Sequence, residues 1–269
     1  MPVSRTRKKP AGRRPARPGR TGAEARAGAR AGEHHRGPAR WGAALLALLL
    51  ACALAIGALS ALGGSPDGAN PADGRDKAGA PADPALAALA RREAGDPLAI
   101  GEANAPVVMI EYADFQCAFC GIFARDTYPR LLEEYVDAGK LRIEFRNFPI
   151  NGPESDAAAR ASWAAGQQGR FWQFHQVAFG EEFHLGSGRF AEEELPRLAE
   201  QAGVADLERF AADMESAAAD QAVGADAQEA LNVGVTTPPL FLINGRPLQG
   251  AQQLEHFEAA IDQALAEAG

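Results

Sequence analysis

Cysteine is scarce in this chain, with three among 269 residues. One of them, Cys52, lies in an apolar run, where a thiol reads as a small buried hydrophobe, so cysteine chemistry is left to Cys117 and Cys120. A structural zinc site needs about four ligands, and a second C-x-x-C is missing, while His175, His184 and His256 are scattered along the chain. Gly121 rather than histidine follows Cys120, which leaves covalent haem attachment without support. No metal and no cofactor is expected. Internal repeats are absent as well. Net positive charge is confined to residues 1–41, with 12 Lys/Arg against Glu24 and Glu33, whereas the remainder carries 15 basic and 33 acidic residues. Acidity at that level argues against nucleic-acid binding by the folded part.

What is present falls into four stretches. Residues 1–41 are rich in Arg, Gly, Ala and Pro, with few large apolar side chains to bury, and read as a disordered basic tail. Arg13-Arg14 lies too far from the apolar run to read as a twin-arginine export signal. Residues 42–62 carry no charge and include Ala44-Leu45-Leu46-Ala47-Leu48-Leu49-Leu50. That length suits a single transmembrane helix across a hydrocarbon core of about 30 Å. Arg36 and Arg40 precede it, and no basic residue follows until Arg75. The positive-inside rule then keeps the N-terminus in the cytoplasm and puts the acidic part outside the cell membrane, on a single-pass signal anchor. A cleaved signal peptide is the competing reading, with small residues at Ala58-Leu59-Ser60-Ala61. Residues 63–95 form a Pro/Gly/Asp/Ala linker, with a short helix expected in 85–92, and the folded domain occupies 96–269.

Within that domain, 107–112 reads as a buried strand interrupted by Glu111. A helix is expected over 117–138, kinked at Pro129 and ended by Gly139. Leu141, Ile143 and Phe145 alternate with Arg142, Glu144 and Arg146, giving a second strand with one polar face. About 153–232 is helical in character, with segments at 156–168, 171–179, 191–202 and 206–214. The cluster Phe171, Trp172, Phe174, Phe179 in it reads as helical core, and His175 as structural. A strand at 240–243, an Asn244-Gly245 hairpin turn and a helix carrying Leu254, Phe257, Ile261 and Leu265 on one face complete the order. The fold class is therefore α/β: a βαβ unit, a helical insertion, then ββα.

Cys117-Ala118-Phe119-Cys120 sits where the first strand gives way to a helix. The unpaired N–H groups and dipole of a first helical turn favour a thiolate there, and a thiol of lowered pKa is a nucleophile near neutral pH. A purely structural disulfide across so short a loop would add little stability. The pair thus points to redox chemistry.

Val108-Met109-Ile110-Glu111-Tyr112-Ala113-Asp114-Phe115-Gln116-Cys117-Ala118-Phe119-Cys120, followed by Val235-Thr236-Thr237-Pro238-Pro239-Leu240-Phe241-Leu242-Ile243-Asn244-Gly245, resembles the DsbA-like thiol:disulfide oxidoreductases of the thioredoxin superfamily. The resemblance covers roughly 97–269 and implies a thioredoxin-like fold with a helical insertion. By it, Cys117 is the exposed attacking cysteine, Cys120 the buried resolving one, and Glu111 the carboxylate that accepts the proton of the resolving thiol. Pro239 is the cis-proline that faces the disulfide, and Pro238 and Phe119 flank the bound peptide. Phe119 stands where the strongest oxidants of the family have histidine, which implies a milder oxidant. Pro238 has no N–H to pair with a peptide. The implied activity is disulfide formation or exchange in thiol-containing exported proteins, with a membrane partner that reoxidises the pair through quinone. Two other readings are a reductase or isomerase kept reduced by a membrane electron carrier, and a redox-inactive binding module tethered to the membrane.

Overall fold

The computed structural model describes residues 81–269 apart from 183. The basic tail, the apolar span at 42–62 and most of the linker lie outside the described residues. Among those described, no helix is long and apolar enough to cross a membrane.

A short helix α1 (Pro84–Ala87) comes first, with Asp83 capping it, followed by the edge strand β1 (Ala99–Ile100) and the central strand β2 (Val107–Ala113). Helix α2 then alternates in winding: it is α-helical over Ala118–Ile122 and Tyr128–Leu131 and π-helical over Phe123–Thr127 and Leu132–Val136. The expected kink at Pro129 is thus taken up as wider turns. Proline has no N–H to donate and crowds the preceding turn, and inserting a residue on either side restores the ladder. The N–H of Asp137 closes the second wide turn on the Leu132 carbonyl at 2.9 Å.

Strand β3 (Leu141–Asn147) pairs parallel with β2 and antiparallel with β1, while β4 (Leu240–Ile243) pairs antiparallel with β2 and with β5 (Arg246–Gln249). The sheet order is β1-β3-β2-β4-β5. Asn244 and Gly245 turn the β4–β5 hairpin with φ of 44° and 83°, as a two-residue loop matching strand twist requires. Between β3 and β4 lie α3 (Pro153–Gly166), α4 (Phe171–Phe179), α5 (Leu195–Gln201), α6 (Leu207–Met214) and α7 (Ala217–Asn232), and α8 (Leu254–Ala268) closes the chain. Alanine abundance finds its use in α3, where Ala157, Ala158, Ala161, Ala164 and Ala165 are buried. Side chains that small let α3 approach α4, α6 and α7 closely.

One sheet face, through Val107, Met109, Ile143 and Phe241, packs on Phe123, Tyr128 and Leu131 of α2 and Phe257 and Ile261 of α8. On the other, Val108, Ile110, Tyr112 and Leu242 meet Ala230 of α7, Leu86 of α1 and Leu89 just beyond it. The insertion has its own core around Phe115, Phe171, Phe174, Phe190 and Phe210.

Two sequence expectations need correction. The polar face of β3 does not meet water: Arg142, Glu144 and Arg146 are all buried. Glu144 accepts from Arg142 Nε and Arg146 Nη2 at 2.9 Å each, and from the backbone N–H of Arg91 and Arg92 at 2.9 and 2.8 Å. Arg146 also reaches Glu229 of α7 at 3.1 Å. Alternation reveals two faces but not what covers them, and here the cover comes from the chain before β1 and from α7. The linker, likewise, does not run free through residue 95. Asp83 donates its N–H to the Gly245 carbonyl at 3.2 Å, and a Cβ at Gly245 would stand 2.4 Å from the Asp83 carbonyl, so only glycine permits that approach.

Candidate active site

Strand β2 delivers Glu111 and Asp114 to the level of the thiols, and the turn through Phe115 and Gln116 delivers Cys117. Cys117 is the N-cap of α2, in extended conformation at φ −81° and ψ 116°, and its Sγ accepts the N–H of Cys120 at 3.3 Å. Both cysteines are free thiols. The hydrogen bond from Cys120, helped by the N–H groups of Cys120 and Phe119, holds the Cys117 thiol below its ordinary pKa although burial opposes it. Burial, together with the neighbouring Cys117, pushes the Cys120 thiol well up. One turn of helix therefore makes the two sulfurs unlike: a ready thiolate and a reluctant one.

Cys117 is 8% exposed, less open than the resemblance implied, and Cys120 is fully buried. The cover comes from Pro238, whose carbonyl accepts from Cys117 Sγ at 3.4 Å. The Pro238–Pro239 bond is cis. Pro239 turns its own carbonyl inward, to the N–H of Gly250 at 2.9 Å and the Gln249 amide at 3.0 Å. Phe119 stands out from α2 at 61% exposure. The structure thus brings Cys117, Cys120, Phe119 and Pro238 to one place.

Glu111 lies in mid-strand between its cross-strand neighbours Phe145 and Phe241. It is completely buried, and neither oxygen has a hydrogen-bond partner among the described residues. Burial, with the Cys117 charge added, pushes its pKa up to about 8. An unpaired carboxyl at such a value can accept or release a proton near neutrality.

Sequence reasoning passed over Asp114. Its carboxylate accepts five hydrogen bonds: from Gln116 N–H, Ile150 N–H, Asn151 N–H, the Asn151 amide and the Ser155 hydroxyl, at 2.6 to 2.9 Å. Gln116 then accepts the N–H of Gly186 at 2.9 Å and donates to the Asn151 carbonyl at 3.2 Å. These two residues tie the ends of β2, the loop after β3 and the loop after α4 into one frame at Cys117. The frame carries exposed Ile150 and Leu185, and Phe119 and Ile122 of α2 are exposed as well. The signal was the Asp-Phe-Gln run directly before Cys117, and its meaning depends on loops more than 30 residues away.

A family model described as Thioredoxin matches residues 93–263. Probable disulfide bond formation protein D of Bacillus anthracis is 31% identical over 169 residues, covering 62% of this chain and 77% of that protein. Na(+)/H(+) antiporter NhaA 3 of Salinispora tropica is 32% identical over 170 residues, so the chain spans about a quarter, 24%, of that antiporter's length. Among solved structures, alpha-DsbA1 of Wolbachia pipientis has a TM-score of 0.55 at 26% identity, covering 64% of this chain and 92% of that one. Oxidised BdbD of Bacillus subtilis has a TM-score of 0.56 at 22% identity over 64% and 94%, a likeness of fold.

Proposed function

This chain belongs to the thioredoxin family as a DsbA-like thiol:disulfide oxidoreductase, and from that premise we propose that it forms or exchanges disulfides in exported proteins through Cys117 and Cys120. The observation that carries the reading is the inequality of the two sulfurs, one capping α2 and the other sealed behind it. In the oxidised form a substrate thiolate attacks Cys117 Sγ, the Cys117–Cys120 bond breaks, and Cys120 leaves with the electron pair. Glu111 gives its proton to Cys120. A second substrate thiolate then attacks the substrate sulfur of the mixed disulfide, and Cys117 leaves as a thiolate stabilised at the N-cap. Substrate is oxidised by two electrons and the Cys117/Cys120 pair is reduced by two.

Regeneration runs the same chemistry backwards on a partner's disulfide, and we assign that partner to the membrane, linked to quinone. The uncharged span at 42–62 suits a single-pass anchor that keeps the catalytic domain outside the cytoplasm, where a disulfide persists. The exposed apolar side chains of Phe119 and Ile122 on α2, and of Ile150 and Leu185 on the loops tied to Asp114 and Gln116, suit an unfolded chain as substrate. With Phe119 in place of a thiolate-stabilising donor, the potential falls between the roughly −270 mV of a strong dithiol reductant and the roughly −120 mV of the strongest oxidants.

Two measurements test this. Equilibrating Cys117/Cys120 against glutathione places the potential, and a value at the reducing end favours the reductase reading. Cys117→Ser is expected to abolish oxidation of a reduced test protein, whereas Cys120→Ser accumulates a mixed disulfide. Full activity in Cys117→Ser would refute the mechanism.

A further inference from the structure

Glu111 is not the lone unpartnered group in its neighbourhood. Tyr128 Oη, Trp172 Nε1 and both ring nitrogens of His175 are also buried without a hydrogen-bond partner among the described residues. Tyr128 links them. Its ring stacks on Trp172 at 5.3 Å and 8°, lies 5.3 Å from His175, and its hydroxyl is pushed up by burial and by the Glu111 charge. His175 stands 5.7 Å from Phe145, the cross-strand neighbour of Glu111. Four polar side chains, two of them ordinarily good proton carriers, thus lie buried among neighbouring aromatic rings. Leaving each unmet is costly, whereas one water with two to four polar partners meets several of them.

Tyr128 also lines a cavity of about 260 Å³ between α2 and α4, shared with Ala124, Arg125, Pro129, Leu132, Gln176 and Phe179. The tyrosine therefore belongs both to the buried cluster and to the cavity wall.

We propose that Glu111, Tyr128, Trp172 and His175 ring a buried water site, and that this site carries protons between Cys120 and the cavity between α2 and α4. The inference rests on the exchange reading above and deepens it: Glu111 takes the Cys120 proton, and the tyrosine and histidine pass it on. The groups facing Glu111 are Phe145 from β3, Phe241 from β4 and Cys120 and Tyr128 from α2, with His175 and Trp172 of α4 behind the tyrosine. Of these Cys120, Tyr128 and His175 titrate, Cys117 is the nearest further charge, and no cation pairs with Glu111 among the described residues. Burial holds the His175 imidazolium down to about 3, so His175 works as a neutral ring that accepts at one nitrogen and donates at the other.

The test uses the reduced full chain with Cys52→Ala as the reference protein and in every variant, so that Cys117 and Cys120 are the thiols that react, and Ellman's reagent, a symmetrical aromatic disulfide. The Cys117 thiolate attacks one reagent sulfur, releases a first thionitrobenzoate and forms a mixed disulfide. Cys120 then gives up its proton, attacks Cys117 Sγ, releases a second thionitrobenzoate and closes the Cys117–Cys120 disulfide. Stopped-flow absorbance across a pH series reads both phases. In His175→Phe and Tyr128→Phe the ratio of second-phase to first-phase rate is expected to fall at least about tenfold, below the roughly hundredfold of a whole general base, with its pH midpoint moved. Tyr128→Phe removes only the hydroxyl and keeps the test informative should His175→Phe misfold. An unchanged ratio and midpoint in Tyr128→Phe would overturn the relay. A wild-type chain that releases only the first thionitrobenzoate would overturn the exchange chemistry itself, and the relay with it.

Discussion

Replacing Glu111 with Gln should stabilise the reduced protein, and by an amount that grows with pH. The carboxyl titrates near 4.5 in the unfolded chain and near 8 when folded. Below pH 4.5 both states are protonated and the group is neutral in its effect. Between pH 4.5 and 8 the unfolded chain releases a proton that the folded one keeps, so wild-type stability falls as pH rises, and above pH 8 the loss is complete. The 2.5 pH units from 4.5 to 7, at about 1.36 kcal/mol per unit, give about 3.4 kcal/mol, rising to about 5 kcal/mol above pH 8. Gln keeps the shape and an unpartnered polar end, so the pH-independent cost largely cancels. Urea unfolding in dithiothreitol at acid, neutral and mildly alkaline pH measures the gap between the two proteins. A gap that stays constant with pH, or a Gln variant less stable than wild type at pH 7, would show that Glu111 is paired or hydrated well enough to ionise freely, and would remove it as a proton acceptor of matched pKa.

Asp114→Ala strands five donors around Cys117 and should lower stability by at least about 3 kcal/mol, read by urea unfolding; a loss under 1 kcal/mol would mean that water replaces the carboxylate without penalty. Glu144→Gln leaves Arg142 and Arg146 buried against a neutral partner and should cost about 3–5 kcal/mol at neutral pH. Burial works against the Glu144 charge, but the N–H groups of Arg91 and Arg92 and the two guanidinium groups outweigh it and hold the pKa at about 2. Wild-type stability from this group is therefore present above pH 4.5 and lost as pH falls toward 2, so acid unfolding of the Gln variant should lack that component. Phe119→His restores a donor near Cys117 and should raise the potential by about 30 mV per tenfold of added thiolate stabilisation, with the thiolate absorbance titrating at lower pH. An unmoved potential would mean that side chain 119 does not reach the sulfur.

Much of the site was legible because its information is local. Two thiols three positions apart after an apolar strand announce an N-cap whatever the rest of the chain does, and Asn244-Gly245 announces its own turn. Glu111 was legible as an oddity, a carboxyl in an apolar run. What the sequence hid depends on distant cover. Arg142, Glu144 and Arg146 read as one polar face, with nothing in the pattern to show that residues 89–93 and α7 close over it. His175 read as a structural histidine because a pattern of aromatics shows that a ring is buried, not whether its nitrogens are met. Asp114 was passed over, because four of its five donors come from Ile150, Asn151 and Ser155, which only β3 and α3 place nearby. The π-helical turns of α2 were beyond pattern altogether, since Pro129 predicts a disturbance and the surrounding packing selects which one.

The seam between Asp83 and the β4–β5 turn also fixes how the domain is held. Strand β4 begins beside Cys117 and ends at that turn, so Gly245 marks the end of the sheet farthest from the thiols, about 20 Å away at roughly 3.3 Å per residue of β2. The described chain therefore enters at the rear of the sheet. A pull applied at residue 81 would be taken up by Asp83 and then by the Arg91 and Arg92 contacts with Glu144, before any of it reached α2. The end of the sheet that carries the thiols stays clear of that entry point.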